Sequence, residues 1–423
     1  MIFLYAYIII IFIRPQDWVS FFYNWPMAAI ILPLGIISGL AANSNKSDSS
    51  ISLVPVAIMN CYLVVIFISV VSTRYAYGFS SIMPELTMWL QRGCLFFMTV
   101  KLINSEKKLK YTLLFLLFIL TILAVQAIQQ GVTGVGWNNT TPYPGYQEVR
   151  VRWIGDWDGP NVYGLILGMA IPIALEFFWN TSTTKIFYIF SISLLSLGVY
   201  FTNSRGAVLG IALSFLLQVA SKYIKNIRSL IICITILAIT ISIGGAFLPS
   251  RMSNISSGES SAHERTWAWE NGLKMFTRHP ILGVGKGLFA HYSAIKLRAH
   301  NNYVQIFSET GLLGFFFFIG FIWFTISRLW SFQDNESGNN LQHYSRAIIF
   351  SLLSYCFTTY FVTMENDALF LLFGLSVAAY KLSFQGLPVQ NENKFTGKDF
   401  FVTLTGMLII YTSVWAIAIF HLI

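Results

Sequence analysis

Apolar runs of about twenty residues recur along the whole length of this chain, and no other feature restricts its fold as strongly. The hydrocarbon core of a bilayer is about 30 Å thick, which about 20 helical residues cross. In that medium every backbone N–H and C=O must be bonded inside the structure, so such runs become helices. Of the 423 residues, 55% are hydrophobic and only 11% charged, whereas soluble domains carry about 25% charged residues. Counting the runs places spans near 1–13, 26–42, 52–72, 84–103, 109–130, 161–179, 185–202, 206–220, 228–248, 311–330, 346–363, 366–384 and 399–422. The expectation is an all-α polytopic membrane protein with about 12–13 transmembrane helices. The first run ends at Arg14-Pro15-Gln16-Asp17 without a small-residue cleavage site, so it reads as a span rather than a signal peptide.

The net charge of +9 must be read by topology before it is read as a binding property. Lys107, Lys108 and Lys110, with Lys222, Lys225 and Arg228, mark cytoplasmic loops, and alternation from them assigns the other loops without conflict. It puts 131–160, the turn at 203–206 and the long segment 249–310 on the outer face. Cytoplasmic loops and flanks hold eleven Lys and three Arg, but ten of the other thirteen basic residues are Arg. Orientation requires only charge, whereas a guanidinium offers planar, bidentate recognition of phosphate. This asymmetry points to an anionic ligand at the outer face; snorkelling anchors and ordinary loop charges are the structural alternative. Nucleic acid is not implied.

The segment 249–310 carries structure of its own. Ser261-Ala262-His263-Glu264 has the form of a capping box, and Trp269, Leu273 and Phe276 follow at helical spacing. These predict an amphipathic helix over 262–278, ended by Pro280. The chain divides accordingly into N-terminal transmembrane helices (1–248), an outer loop (249–310) and C-terminal transmembrane helices (311–423). Trp137, Tyr143, Tyr146, Trp153 and Trp157 make the 131–160 loop look interfacial or sugar-facing. Cys61, Cys94, Cys233 and Cys356 sit in apolar runs without metal-ligand spacing and read as packing residues. Arg92 falls inside a predicted span, where an ionisable group is costly and therefore a functional candidate; an interfacial placement is the alternative. Gly283-Val-Gly285-Lys-Gly287 does not follow a βαβ strand and reads as a turn rather than a nucleotide loop.

Four stretches carry a family resemblance: Gly159-Pro160-Asn161, Thr202-Asn203-Ser204-Arg205-Gly206, Pro280-Ile-Leu-Gly283-Val-Gly285, and His300-Asn301 followed by Gly311-Leu-Leu-Gly314. In this order and topology the chain resembles the O-antigen ligase and Wzy-type polymerase superfamily. The resemblance implies a GT-C-like membrane glycosyltransferase in the bacterial inner membrane, with one large, partly helical periplasmic loop and the active site facing the periplasm. Its donor would be an undecaprenyl-diphosphate-linked glycan. The acceptor would be lipid A-core in a ligase or a lipid-linked repeat unit in a polymerase, the latter with a possible chain-length regulator as partner. Arg205, Arg265 and Arg298 match basic positions that the family uses for the diphosphate or for catalysis.

Physical chemistry fits that implication. A glycosyl diphosphate already has a good leaving group, so transfer needs neutralisation of the developing charge and a base for the acceptor hydroxyl. Preorganised arginines supply the first. No acidic cluster suited to a divalent cation is evident in the outer loops, so no metal and no other cofactor is expected. His300 is the candidate base, or the residue that positions the acceptor hydroxyl: neighbouring guanidinium groups favour its neutral form. A helix cap or a loop hydrogen bond is its structural alternative. Glu309 is a rival base or simply the start of a membrane helix. Arg150 and Arg152 could meet the diphosphate or anionic headgroups, and Asn161 either contacts the lipid-linked glycan or only helps Pro160 begin a helix. Ligation is the first reading, polymerisation the second, and protein O-glycosylation a third. A transporter of a lipid-linked anion is the reading from another class, although no internal repeat is visible.

Overall fold

The computed structural model describes residues 1–23, 25–43, 54–75, 78–144, 148–223, 260–332, 340–384 and 394–420. Its helices, in chain order, are α1 (Ile2–Phe12), α2 (Met27–Asn43), α3 (Val54–Arg74), α4 (Phe79–Leu102), α5 (Glu106–Thr133), α6 (Pro160–Asn180), α7 (Lys185–Thr202), α8 (Arg205–Tyr223), α9 (Ser260–Arg278), α10 (Phe289–Tyr292), α11 (Asn302–Ser331), α12 (Asn340–Thr358), α13 (Asp367–Ser383) and α14 (Gly397–Phe420). Among the described residues there is no strand. The chain is an all-α, multi-pass membrane protein. Every expected span coincides with a helix except 228–248, which lies outside the described residues.

Seven helices among the described residues, α3, α5, α6, α7, α8, α11 and α14, are long and apolar enough to cross a membrane on those criteria alone. Helices α1 and α2 are shorter apolar segments. Helix α4 carries Glu85, Arg92 and Lys101, and α12 carries His343 and Arg346. The shorter α1, α2 and α13 (17 residues), the polar content of α4 and α12, and the position of 228–248 outside the described residues account for the difference between these seven and the expected 12–13.

Compactness groups the helices differently from their order along the chain. One unit comprises Met1–Ile31, Lys107–Ile255 and Gly338–Thr358; the other comprises Leu32–Glu106, Ser256–Ser337 and Thr359–Ile423. In the first, α6 is packed by α7, α8 and α12. Pro172 interrupts the bonding of α6, and side chains from neighbouring helices meet the nearby carbonyls: Ser351 Oγ donates to Met169 O (2.6 Å) and Gln218 Nε2 to Pro172 O (3.0 Å). Glu176, also on α6, is buried against Arg346 (3.2 Å) and Gln218 (3.1 Å).

In the second unit α11 packs on α3, α9, α13 and α14. Helix α9 matches the predicted amphipathic segment: Trp269 and Leu273 are buried, and Phe276 stands edge-on to Phe307 and tilted against Tyr411. The side chains of residues 261–263, and with them the expected capping box, lie outside the described residues. Helix α9 starts at Ser260, so Arg265 stands in its second turn, beyond the free amides of a helix start.

Helix α11 begins at Asn302 rather than at 311, and it is broken at Gly311, whose φ of 65° and ψ of −161° are not helical. The break leaves the carbonyls of Ser308 and Glu309 and the N–H groups of Leu312 and Leu313 without partners inside the helix. The segment after Pro280 meets all four. Val284 N donates to Ser308 O (2.8 Å) and Gly285 N to Glu309 O (3.1 Å), while Pro280 O and Ile281 O accept from Leu312 N (2.7 Å) and Leu313 N (3.4 Å). Two of the motif stretches therefore form one object, a broken helix repaired by a loop. The repair demands glycine at 311, where an added Cβ would lie 2.3 Å from the Ile281 backbone.

Candidate functional site

Of the candidates, Arg265, Arg298, His300 and Glu309 belong to the second unit, and Arg150, Arg152, Asn161 and Arg205 to the first. Each group is built by its own local structure.

His300 precedes α11 in a left-handed conformation, φ 52°. Such a backbone is disfavoured for a residue with a side chain and persists where its surroundings fix it. Trp269 Nε1 donates to Ala299 O (2.9 Å), and Ala299 N donates to Gln305 Oε1 (3.2 Å). On the other side, the Asn301 side-chain oxygen caps α11 by accepting from Tyr303 N (2.9 Å) and Val304 N (3.1 Å). Asn302 N donates to Thr359 O (2.8 Å). Burial, then the positive charges of Arg265 and Arg298, lower the imidazole pKa from 6.5 to about 4. His300 is therefore neutral at neutral pH, with two guanidinium groups close enough to act on it. Arg298 is exposed and Arg265 partly so.

Glu309 is not at a helix start. It lies in the first half of α11, 1% exposed, with Lys286 Nζ 3.1 Å from one oxygen and Phe289 N donating to the other at 3.2 Å. Gln305 Nε2 also donates to it. The same Lys286 ammonium lies 2.6 Å from Glu365, which accepts a hydrogen bond from Tyr62. Burial alone would depress the Lys286 pKa, but Glu365 and Glu309 more than offset it and hold the group above its ordinary value. Nothing in the sequence singles out Lys286, Glu365 and Tyr62 as members of one cluster. Lys286 falls inside a glycine-rich turn, and Glu365 in the two-residue gap between the expected spans 346–363 and 366–384; the helix in fact ends at Thr358, so the connection runs from 359 to 366. The one available signal is a lysine placed among glycines, which marks a buried backbone approach as readily as a turn.

That connection contributes aromatic contacts as well. Tyr360 stands edge-on to Trp269 (5.6 Å) and beside Tyr303 (6.1 Å). Arg92 lies over the Trp89 ring (4.5 Å) and 3.8 Å from Asp367, so its charge is engaged inside the unit.

In the first unit, Arg150 is buried and its Nη2 donates to Asn161 Oδ1 (3.2 Å) near the start of α6. Val151 N donates to Phe201 O (3.1 Å), and Asn203 donates to Glu148, so this strip lies along the turn from which α8 starts with Arg205. Arg152 instead pairs with Asp158 (2.9 Å) and bonds Thr141 O. An apolar cavity of about 250 Å³ opens among α6, α7 and α8, lined by Ile171, Val199, Tyr200, Val208, Ile211 and Phe215. Tyr200 and Val208 flank the 203–205 turn in sequence.

The expectation of an interfacial or sugar-facing aromatic loop over 131–160 is corrected for two of its three tryptophans. Trp153 and Trp157 are fully buried, and their indole N–H groups donate to Phe12 O (3.1 Å) and Ile11 O (2.8 Å). They close the C-terminal end of α1, whose last carbonyls have no partner in the helix. Trp137 bonds Gln129 (3.0 Å), Tyr143 remains exposed, and Tyr146 lies outside the described residues.

A comparison with curated proteins finds no match. Residues 190–319 match the model of the family described as O-antigen ligase (Wzy_C). The match covers under a third of the chain but contains Arg205, α9, the repaired break at Gly311 and His300. Over these residues the chain is similar to the O-antigen ligase family, in keeping with the resemblance carried by its motif stretches.

Proposed function

We propose that this protein is a membrane glycosyltransferase that moves a glycan from undecaprenyl diphosphate to an acceptor hydroxyl at the periplasmic face of the inner membrane. The observation that carries the reading is the neutral, backbone-locked His300 beside Arg265 and Arg298, inside the matched domain. In the transfer, the acceptor oxygen bonds to the anomeric carbon as the bond from that carbon to the diphosphate oxygen breaks. The configuration inverts. The acceptor proton passes to His300, and lipid diphosphate leaves with the electron pair. General-base assistance of this kind contributes about 10²–10⁴-fold. Arg265 and Arg298 neutralise charge that develops on the leaving group. Arg205, with Arg150 and Asn161 in its unit, suits donor recognition, and the adjoining apolar cavity suits part of a prenyl chain. Glu309, held by Lys286, serves as support rather than as base.

Ligation to lipid A-core is the first reading of the acceptor and Wzy-type polymerisation the second. The transporter reading draws on one feature, because transporters use broken helices near the membrane centre. Here the four groups freed at Gly311 are all bonded to the 280–285 loop, leaving none for a passing ion.

The test is transfer from a synthetic lipid-linked glycan by purified protein in nanodiscs. His300→Ala is expected to lose at least about 100-fold in rate, and Arg265→Ala and Arg298→Ala to lose activity as well. Full transfer by all three would discard the assignment. Unimpaired transfer with lost transmembrane movement of the lipid would also discard it, in favour of transport.

A further inference from the structure

We infer that Gln305, braced by Glu309 and Lys286, is the positioning residue that holds His300 in its working backbone conformation. The inference rests on the reading of His300 as the base.

Four of the five bonds flanking His300 end on backbone groups, on a fully buried indole, or on the helix cap. The fifth is different, because the Gln305 side chain is committed at both ends. Its carbonyl oxygen accepts from Ala299 N (3.2 Å), and its amide nitrogen donates to Glu309. Glutamine reaches in both directions with the right polarity. An ionised glutamate would accept from Ala299 but could not donate to Glu309, and leucine could do neither. The direction of the amide is set by the charge on Glu309. That charge is in turn held in place by Lys286 at 3.1 Å and by Phe289 N at 3.2 Å.

Lys286 is itself fixed. Its ammonium is shared with Glu365 (2.6 Å) and lies 5.0 Å above the Trp89 ring. Its backbone N–H donates to Ser69 Oγ (3.1 Å), and its carbonyl accepts from Arg74 (2.8 Å). Gln305, Glu309, Lys286 and Glu365 are all buried, so water does not compete for these bonds. A line of hydrogen bonds thus runs from the apolar helix α3, through the glycine-rich turn, to the peptide preceding His300. No proton need travel along it, since it ends on a backbone amide. Its consequence is geometric.

The test exploits polarity rather than removal. Gln305→Glu sets two carboxylates against each other, whereas the exchange Gln305→Glu with Glu309→Gln restores a donor facing an acceptor between these two positions at nearly the same volume, at the cost of the bond from Phe289 N and of one carboxylate beside Lys286. A displaced base lowers the chemical step, and about 1 Å of misplacement costs about 100-fold. Gln305→Glu and Gln305→Leu are therefore expected to lose about 100-fold in kcat while the donor KM stays within about threefold. The exchange variant is expected to recover kcat to within about tenfold of the parent, a coupling that independent structural losses would not show.

Thermal unfolding and gel filtration of each variant accompany the kinetics. Parental kcat in Gln305→Leu would overturn the inference, as would an exchange variant that folds like the parent but is no faster than Gln305→Glu. His300→Ala separates the two levels. If it is inactive and Gln305→Leu is not, positioning fails alone. If His300→Ala is fully active, the base assignment fails and this inference with it.

Discussion

At the scale of single residues, His300 shows how burial and neighbouring charge keep an imidazole neutral. Its imidazole is neutral because burial and two arginines disfavour the cation, lowering the pKa to about 4. In the proposed role as base the neutral form is the active one, so the rate of transfer should fall as pH drops through about 4 and be insensitive to this group near neutral pH. Removing a positive neighbour relieves the repulsion and raises the pKa. In Arg298→Ala or Arg265→Ala the acidic limb should therefore move toward pH 6.5, the ordinary histidine value, measurable on whatever activity remains. A limb that stays in place would show that the arginines do not act on His300. The sequence offers the pairing of a histidine with arginines, but not the left-handed backbone. A residue's φ is decided by the bonds on either side, here from nearby Gln305 and from Trp269 and Thr359, which are distant in sequence.

At the scale of elements, the broken helix α11 and the loop after Pro280 depend on each other. Gly311→Ala would bring a Cβ to 2.3 Å from the Ile281 backbone and add strain at positive φ. A loss of about 2–4 kcal/mol is expected from overpacking and backbone strain together. Its measure is a lower thermal midpoint in detergent; an unchanged midpoint would contradict the close approach. The ion pair inside the first unit gives a second prediction. Arg346→Met leaves the buried Glu176 carboxylate without its cation and should cost about 3–5 kcal/mol. Adding Glu176→Gln should recover most of that loss, since a neutral amide tolerates the site. Denaturation midpoints of the two variants decide it. Hydrophobic runs expose the helices themselves but not the Gly311 break, because a glycine in an apolar run is compatible with a continuous helix. Only the bonds offered by residues 280–285 make the interruption tolerable.

At the scale of the whole molecule, the acceptor is the open chemical variable, and deletion of the gene reads it directly. Surface glycolipid reduced to core without any repeat, with long lipid-linked chains accumulating, is the expected outcome for a ligase. A single repeat remaining on the core would instead establish the polymerase reading. Both can be seen on one gel. Purified protein offered lipid A-core or a lipid-linked repeat as acceptor should elongate or ligate in agreement with that gel.

By itself the sequence determined the all-α membrane architecture, the positions of nearly all helices, the amphipathic α9 and the four motif stretches. These are local properties: hydrophobic run length, periodicity, and residues a few positions apart. Tertiary structure decided which of the basic and acidic candidates share a neighbourhood. It grouped Arg265, Arg298 and His300 in one unit, and paired Glu309 with Lys286. It also buried Trp153 and Trp157 against the end of α1 instead of presenting them to sugar. The physical reason is that buried charges and strained backbones persist only when partners distant in sequence satisfy them, and a single sequence displays neighbours along the chain, not neighbours in space.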